Sequence, residues 1–122
     1  MKKLTKQKIR KIKKQHKENN SLHFLRECME IIGEESRFAI LSLLSEKPCL
    51  LSEISEHLDK THATTSHHLR LLEQAELIYS SKKGKYKEYN LMKENFSKLL
   101  NIWNQWFQPI RFRDYLTDNR YL

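Results

Sequence analysis

One stretch, Thr61-His62-Ala63-Thr64-Thr65-Ser66-His67-His68-Leu69-Arg70-Leu71-Leu72, restricts the fold more than any other. Leu69 and Leu72 recur at helical spacing, with Thr65 on the same packing side. The other sides carry Thr61, His62, Thr64, Ser66, His67 and Arg70, which are short hydrogen-bonding groups and one cation. A core helix would not keep so many polar groups, and an ordinary solvated helix would hold more Glu and Lys. Short hydroxyls and imidazoles at the start of a helix suit contact with base edges and phosphates in a major groove. The stretch therefore predicts a helix that packs on one side and reads nucleotides on the other.

The surrounding chain supplies the scaffold. Two glycines and two prolines in 122 residues leave little material for turns, so helices should dominate. Ser21 is an expected N-cap for a helix carrying Leu22, Leu25, Cys28, Met29 and Ile32 and ending at Gly33. A second helix over 34–45 holds Phe38, Ile40, Leu41, Leu43 and Leu44, is apolar on most sides, and is expected to be central. Cys49-Leu50-Leu51 reads as an extended link, and Ser52 as the cap of a third helix with Ile54 and Leu58 inward. The turn Asp59-Lys60-Thr61 joins it to the polar helix, making a helix-turn-helix. Leu77–Ser80 and Tyr86–Leu91 suit strands of a β-hairpin with a basic tip turned by Gly84. Phe96, Leu99, Leu100, Trp103, Trp106 and Phe107 then repeat at helical spacing on a helix more apolar than one small domain needs. The division expected is a basic arm over 1–20, one domain over 21–107 with dimerisation helices at both ends, and a tail over 108–122.

Charge is unevenly placed. Residues 1–20 hold nine Lys or Arg against one acid, Glu18, and so carry the whole net charge of +8. This arm is either a helix or a segment that orders on a polyanion, and either a solvated tail or a source of long-range attraction to DNA. No apolar run follows it, so it does not read as a secretory signal, and nothing approaches a membrane span. Cys28 and Cys49 have no metal-ligand spacing and suit reduced thiols in a cytoplasmic protein. No Gly-rich elbow or phosphate loop accompanies the Ser and His residues, so neither an enzyme nor a cofactor is expected.

The order of elements is that of a mainly α winged helix-turn-helix with a small β-hairpin. Ser36-Arg37-Phe38-Ala39-Ile40-Leu41, Ser66-His67-His68-Leu69-Arg70-Leu71-Leu72 and Gly84-Lys85-Tyr86-Lys87-Glu88-Tyr89 carry a resemblance to the ArsR-type family of bacterial and archaeal transcriptional repressors. It spans Ile31 to Leu91, and less sharply Leu22 to Phe107. It implies a homodimer on double-stranded DNA, with the polar helix in the major groove and the hairpin on flanking DNA. The DNA-contacting set is then Thr61, His62, Thr64, Thr65, Ser66, His67 and Arg70, with Lys82, Lys83 and Lys85 on the hairpin. The dimer set is Leu22, Leu25, Met29, Phe96, Leu99, Leu100, Trp103, Trp106 and Phe107. His68 stands between the two roles, facing DNA or holding the helix from within.

Departures from the family pattern are informative. Asp59 and Glu76 stand where the family usually has Gly, and Lys60 where it has an apolar residue. Metal-sensing members typically carry Cys-x-Cys where this chain has Leu50 and Ser52, and others use ligands on the last helix, where Asn95–Phe107 offers no His, Asp or Cys. A metal sensor of those kinds is not expected. The chain thus reads as a dimeric repressor on an inverted repeat, its two polar helices about 34 Å apart. The alternatives are a winged-helix module that docks a protein partner, or an atypical thiol- or metal-responsive repressor using Cys28 or Cys49.

Overall fold

The computed structural model describes residues 4–18 and 20–107, with side chains described at 4–13 and 20–105. The helices are α1 (Lys6–Glu18), α2 (Asn20–Ile32), α3 (Glu35–Glu46), α4 (Leu51–Leu58), α5 (His62–Gln74) and α6 (Lys93–Phe107). The strands are β1 (Cys49–Leu50), β2 (Ile78–Lys83) and β3 (Tyr86–Leu91). Arg26–Phe96 forms one compact unit, and the described parts of Met1–Leu25 and Ser97–Leu122 form a second.

Local chemistry sets the helix ends. Glu34 caps α3 by accepting the Arg37 N–H at 2.9 Å, and the extended Lys47 before Pro48 ends it. The helix α4 begins at Leu51, so Ser52 lies within it and is not its cap. Leu50 precedes the helix, and the Glu53 carboxylate reaches back to accept the Leu50 N–H at 3.0 Å. Ser21 likewise lies inside α2.

Two left-handed residues punctuate the helix-turn-helix. Asp59 (φ 53°) follows α4, with the Lys60 N–H donated to the Ser55 carbonyl at 3.1 Å and the Asp59 N–H to that of Glu56 at 3.2 Å. Glu76 (φ 58°) follows α5 in the same way, with Leu77 N–H to Leu72 O at 3.0 Å and Glu76 N–H to Glu73 O at 2.9 Å. Both are Schellman closures, and the second is clamped by the fully buried pair Leu72 and Leu77. These are the two positions at which the family usually has glycine, and the geometry shows why.

The hairpin is part of a three-stranded antiparallel sheet in the order β1-β3-β2. The link at Cys49-Leu50 pairs with Tyr89 and Glu88, which adds the third strand beside the expected hairpin. Gly84 (φ 63°) and Lys85 close the β2–β3 turn, with Lys83 opposite Tyr86. Within Arg26–Phe96 the core is Cys28, Ile40, Cys49, Ile54, Leu69, Leu72, Leu77 and Ile78, each no more than 1% exposed. The expectation that α3 is central holds at Ile40, Leu41 and Leu44, which are buried, whereas Phe38 is 60% exposed. In the terminal unit Leu25 and Ile102 are buried, and the Lys98 ammonium lies 4.8 Å from the centre of the Phe24 ring.

Two buried hydroxyls, Ser55 Oγ and Thr65 Oγ1, have no hydrogen-bond partner among the described residues. Thr65→Val keeps the side-chain shape and removes such a group, so it should stabilise the fold by about 1 kcal/mol. Glu76→Gly should stabilise by a similar amount, about 1 kcal/mol, and Asp59→Gly by less, because Asp tolerates the left-handed region better. Denaturant midpoints of the three variants check all of these.

Candidate nucleic-acid interface

The helix α5 presents two faces, and its caps decide how far it can be used. Thr65, Leu69 and Leu72 are buried, the first at 0% exposure. That removes Thr65 from the DNA-contacting set expected from sequence: its side chain is buried with the leucines in the packing between helices. Opposite this stripe stand Ala63, His67, Arg70 and Gln74, all exposed, with His62 and the half-covered Ser66 on one flank and Thr64 on the other. Ala63 and Gln74 are additions to the set expected from sequence. Their signal is present there, since they share the helical phase of His67 and Arg70.

Thr61 is the N-cap of α5. Its Oγ1 accepts the Thr64 N–H at 3.1 Å and donates its own proton to Thr64 Oγ1 at 3.0 Å. The one side-chain donor on Thr61 is therefore engaged within the cap.

His68 faces inward and anchors the helix. Its Nδ1 lies 3.3 Å from an Arg37 terminal nitrogen and 3.7 Å from Glu34 Oε2, and its side chain is 14% exposed. Arg37 can only donate, so the contact is a hydrogen bond in the neutral tautomer that leaves Nδ1 free to accept. The Arg37 Nε also donates to the Ile31 carbonyl at 2.6 Å. One guanidinium thus ties the end of α2 and the start of α3 to the middle of α5. Burial pushes the His68 pKa below its ordinary value against the opposing pull of Glu34. The Glu34 carboxyl is itself held low, chiefly by the Arg37 N–H.

The wing divides its cations by strand register. Tyr89 and Ile78, on the sheet face that packs on the core, are buried, and Lys82 and Lys87 continue that face directly opposite each other. On the other face the Lys83 ammonium is 3.1 Å from Glu88 Oε2. Lys83 is thus partly neutralised within the wing. Lys85, at the turn, lies 5.4 Å from the Tyr86 ring. Sequence reasoning misses Lys87, although it belongs to the motif that carries the family resemblance. Like charges set opposite each other across two strands destabilise a sheet unless an anion lies between them.

Of the expected dimer set, Leu25 is already covered within its own chain and has little surface to offer a partner. Met29 (46% exposed), Leu100 (59%) and Trp103 (38%) keep apolar surface in water, while Leu22, Phe96 and Leu99 are half-buried. The side chains of Trp106 and Phe107, and residues 108–122, lie outside the described residues. Both cysteines are buried and neither is in a disulfide among the described residues, and burial raises the Cys49 pKa, away from a reactive thiolate. Among the described residues no three His, Cys, Asp or Glu groups are gathered to hold a metal, and no helix is long and apolar enough to cross a membrane.

A helix-turn-helix whose second helix is polar outward, followed by a basic β-wing, defines a winged helix-turn-helix protein. Residues 34–80 match the sequence model of the bacterial regulatory proteins of the arsR family. The chain is 32% identical over 78 residues to the transcriptional repressor SdpR of Bacillus subtilis (strain 168), covering 61% of this chain and 87% of that protein. An ArsR-like transcriptional regulator from Rhodococcus sp. RHA1 superposes with a TM-score of 0.65 at 18% identity, over 83% of this chain and 99% of that one. The homodimeric winged helix-turn-helix DNA-binding domain Mb0332 from Mycobacterium bovis does so with a TM-score of 0.56 at 16% identity, over 85% and 87%. The chain belongs to the ArsR family: it is a transcriptional regulator and not an enzyme.

The anchor on α5 has a pH signature. The unfolded chain protonates His68 at about pH 6.5, before the folded chain does, so acid favours unfolding. Stability contributed by this site is intact above that pH and is lost as pH falls from it toward the lower folded-state value. Denaturation midpoints measured from pH 7.5 down to 5.5 should show the fall, and His68→Gln should flatten it.

Proposed function

We propose that this regulator is a cytoplasmic homodimeric repressor that binds an inverted repeat in double-stranded DNA. The observation that carries the reading is the solvent-facing surface of α5, where His67 and Arg70 stand beside His62, Ser66 and Thr64 on a helix anchored from behind by Arg37 and His68. Residues near the start of such a helix address base edges, and the wing lysines address phosphates. In this reading Thr61 contributes its cap and the neighbouring backbone N–H groups, whereas Lys82, Lys85 and Lys87 supply the wing contact, with Lys83 shared between Glu88 and the duplex. The homodimeric relative in Mycobacterium bovis and the repressor in Bacillus subtilis support the assembly and the sign of regulation. Apolar surface on Leu100, Trp103 and Met29 supplies the means to dimerise, with the half-buried Leu22, Phe96 and Leu99 adding to it; the apolar sequence runs on through Trp106 and Phe107.

Selection from a random duplex pool should return two half-sites about 10 base pairs apart, centre to centre. On that duplex, Ser66→Ala and His67→Ala should each cost about 1–3 kcal/mol of discrimination against mismatched sites. Lys82→Ala and Lys87→Ala should instead weaken all duplexes alike, and each should lower the salt slope by about 1, the share of a single phosphate. Sedimentation should show a dimer that Leu100→Asp converts to monomer. Undiminished discrimination in both helix variants would remove α5 as the reader.

A further inference from the structure

The basic helix α1 lies outside the family-matched span of 34–80 and has no role in the site above. It is a coherent element with its own cap, since Thr5 Oγ1 accepts the Lys8 N–H at 3.2 Å and the Ile9 N–H reaches the Thr5 carbonyl at 3.0 Å. Lys6, Arg10 and Lys13 recur at i, i+4 and i+7 and are all exposed, as are Lys8 and Lys11. Ile9 and Ile12 share a different face and are 38% and 39% exposed.

This helix is at odds with its own charge. Lys6 and Arg10 repel at i, i+4, and Arg10 and Lys13 at i, i+3. Cations also occupy the first turn, where the helix dipole favours acids, and none is present. A helix of 13 residues is marginal in water even without such repulsion. What it lacks is a line of negative charge spaced to meet the lysines. A lipid surface fits less well, because an interfacial helix needs a broad apolar face with aromatic anchors, and α1 offers two isoleucines. The rest of the chain, 21–122, carries balanced charge, so the strongest attraction to a polyanion resides in this segment.

We propose that α1 is a second DNA-binding element that grips the sugar–phosphate backbone without reading sequence, and that its helix is consolidated by that contact. The inference rests on the regulator binding duplex DNA. Fluorescence anisotropy of the full chain on a random-sequence duplex and on a pool-selected duplex, over a range of salt, tests it. The Lys6→Gln, Arg10→Gln, Lys13→Gln triple variant keeps helix propensity while removing charge. Its affinity loss between 50 and 200 mM salt should be smaller than the parent's by about 40-fold per protomer, equally on both duplexes, for three phosphates no longer neutralised. The charge-preserving Lys6→Arg, Arg10→Lys, Lys13→Arg variant should retain the parent slope. Far-UV circular dichroism of the full chain should gain helix signal on saturation with duplex, and the triple Gln variant should gain less.

An unchanged salt slope in the triple Gln variant overturns the proposal, and so does an effect confined to the selected duplex. Loss of binding to phosphatidylglycerol vesicles with duplex binding intact would assign α1 to a membrane surface instead. Retained site preference with an unchanged slope sinks this inference alone, whereas a parent chain that binds neither duplex sinks the proposed function as well.

Discussion

The inward stripe of α5 is the constraint on which the rest of the regulator depends. Thr65, Leu69 and Leu72 are almost wholly removed from water. Their burial fixes the helix about its own axis, and that rotation alone decides that His67 and Arg70 look outward. A rotation of one residue, about 100°, would bring His68 outward and carry Ser66 toward the core. The Arg37–His68 contact resists such slippage, because a neutral imidazole accepting from a guanidinium has one good orientation, whereas leucines slide. Apolar burial thus supplies the energy and one buried polar contact supplies the register.

Strain gathers around this helix. Left-handed non-glycine residues close both α4 and α5, at Asp59 and Glu76, and two buried hydroxyls on these helices lack partners among the described residues. Each costs on the order of 1–2 kcal/mol, which is a notable share of what a small domain has to spare. The compensation is local: each turn closes a paired set of backbone hydrogen bonds, and the second also seals Leu72 against Leu77. Stability at the helix-turn-helix therefore comes from closure of its turns more than from the preferences of the residues in them.

Much of this is legible in the sequence, for identifiable reasons. The period of Leu69 and Leu72, the polar run around them and the paired β-segments about Gly84 are local signals, and all appear as expected. The features that elude the sequence depend on distant partners or on phase. Cys49-Leu50 becomes a strand because Tyr89 and Glu88 arrive beside it from about forty residues away. Ser52 and Ser21 have good cap chemistry, but the helices start earlier, and at α4 the carboxylate of Glu53 satisfies the terminus instead. Hydropathy places Phe38 in the core, yet its angular position on α3 turns it outward. Lys87 is visible as a residue but not as the partner of Lys82, a relation that only strand register discloses.

The distribution of charge separates two tasks that small regulators often combine on one surface. On α5 the polar groups are mostly neutral and short, suited to discriminating base edges but weak at attracting a duplex from a distance. The cations on the wing sit at its far end, where Lys82 faces Lys87 and Lys83 is partly neutralised by Glu88. Long-range attraction scales with unneutralised charge, and residues 1–20 hold the surplus. Under the proposed function, affinity and discrimination would therefore fall on different segments, so each could change without the other. On the same reading, a regulator built this way could tolerate weak base contacts, because the arm would hold it near DNA while α5 chose the site. The corollary is that salt should lower affinity more than specificity: screening erodes a backbone grip equally at every sequence, so the ratio of matched to mismatched binding is largely kept by the short hydrogen bonds to base edges.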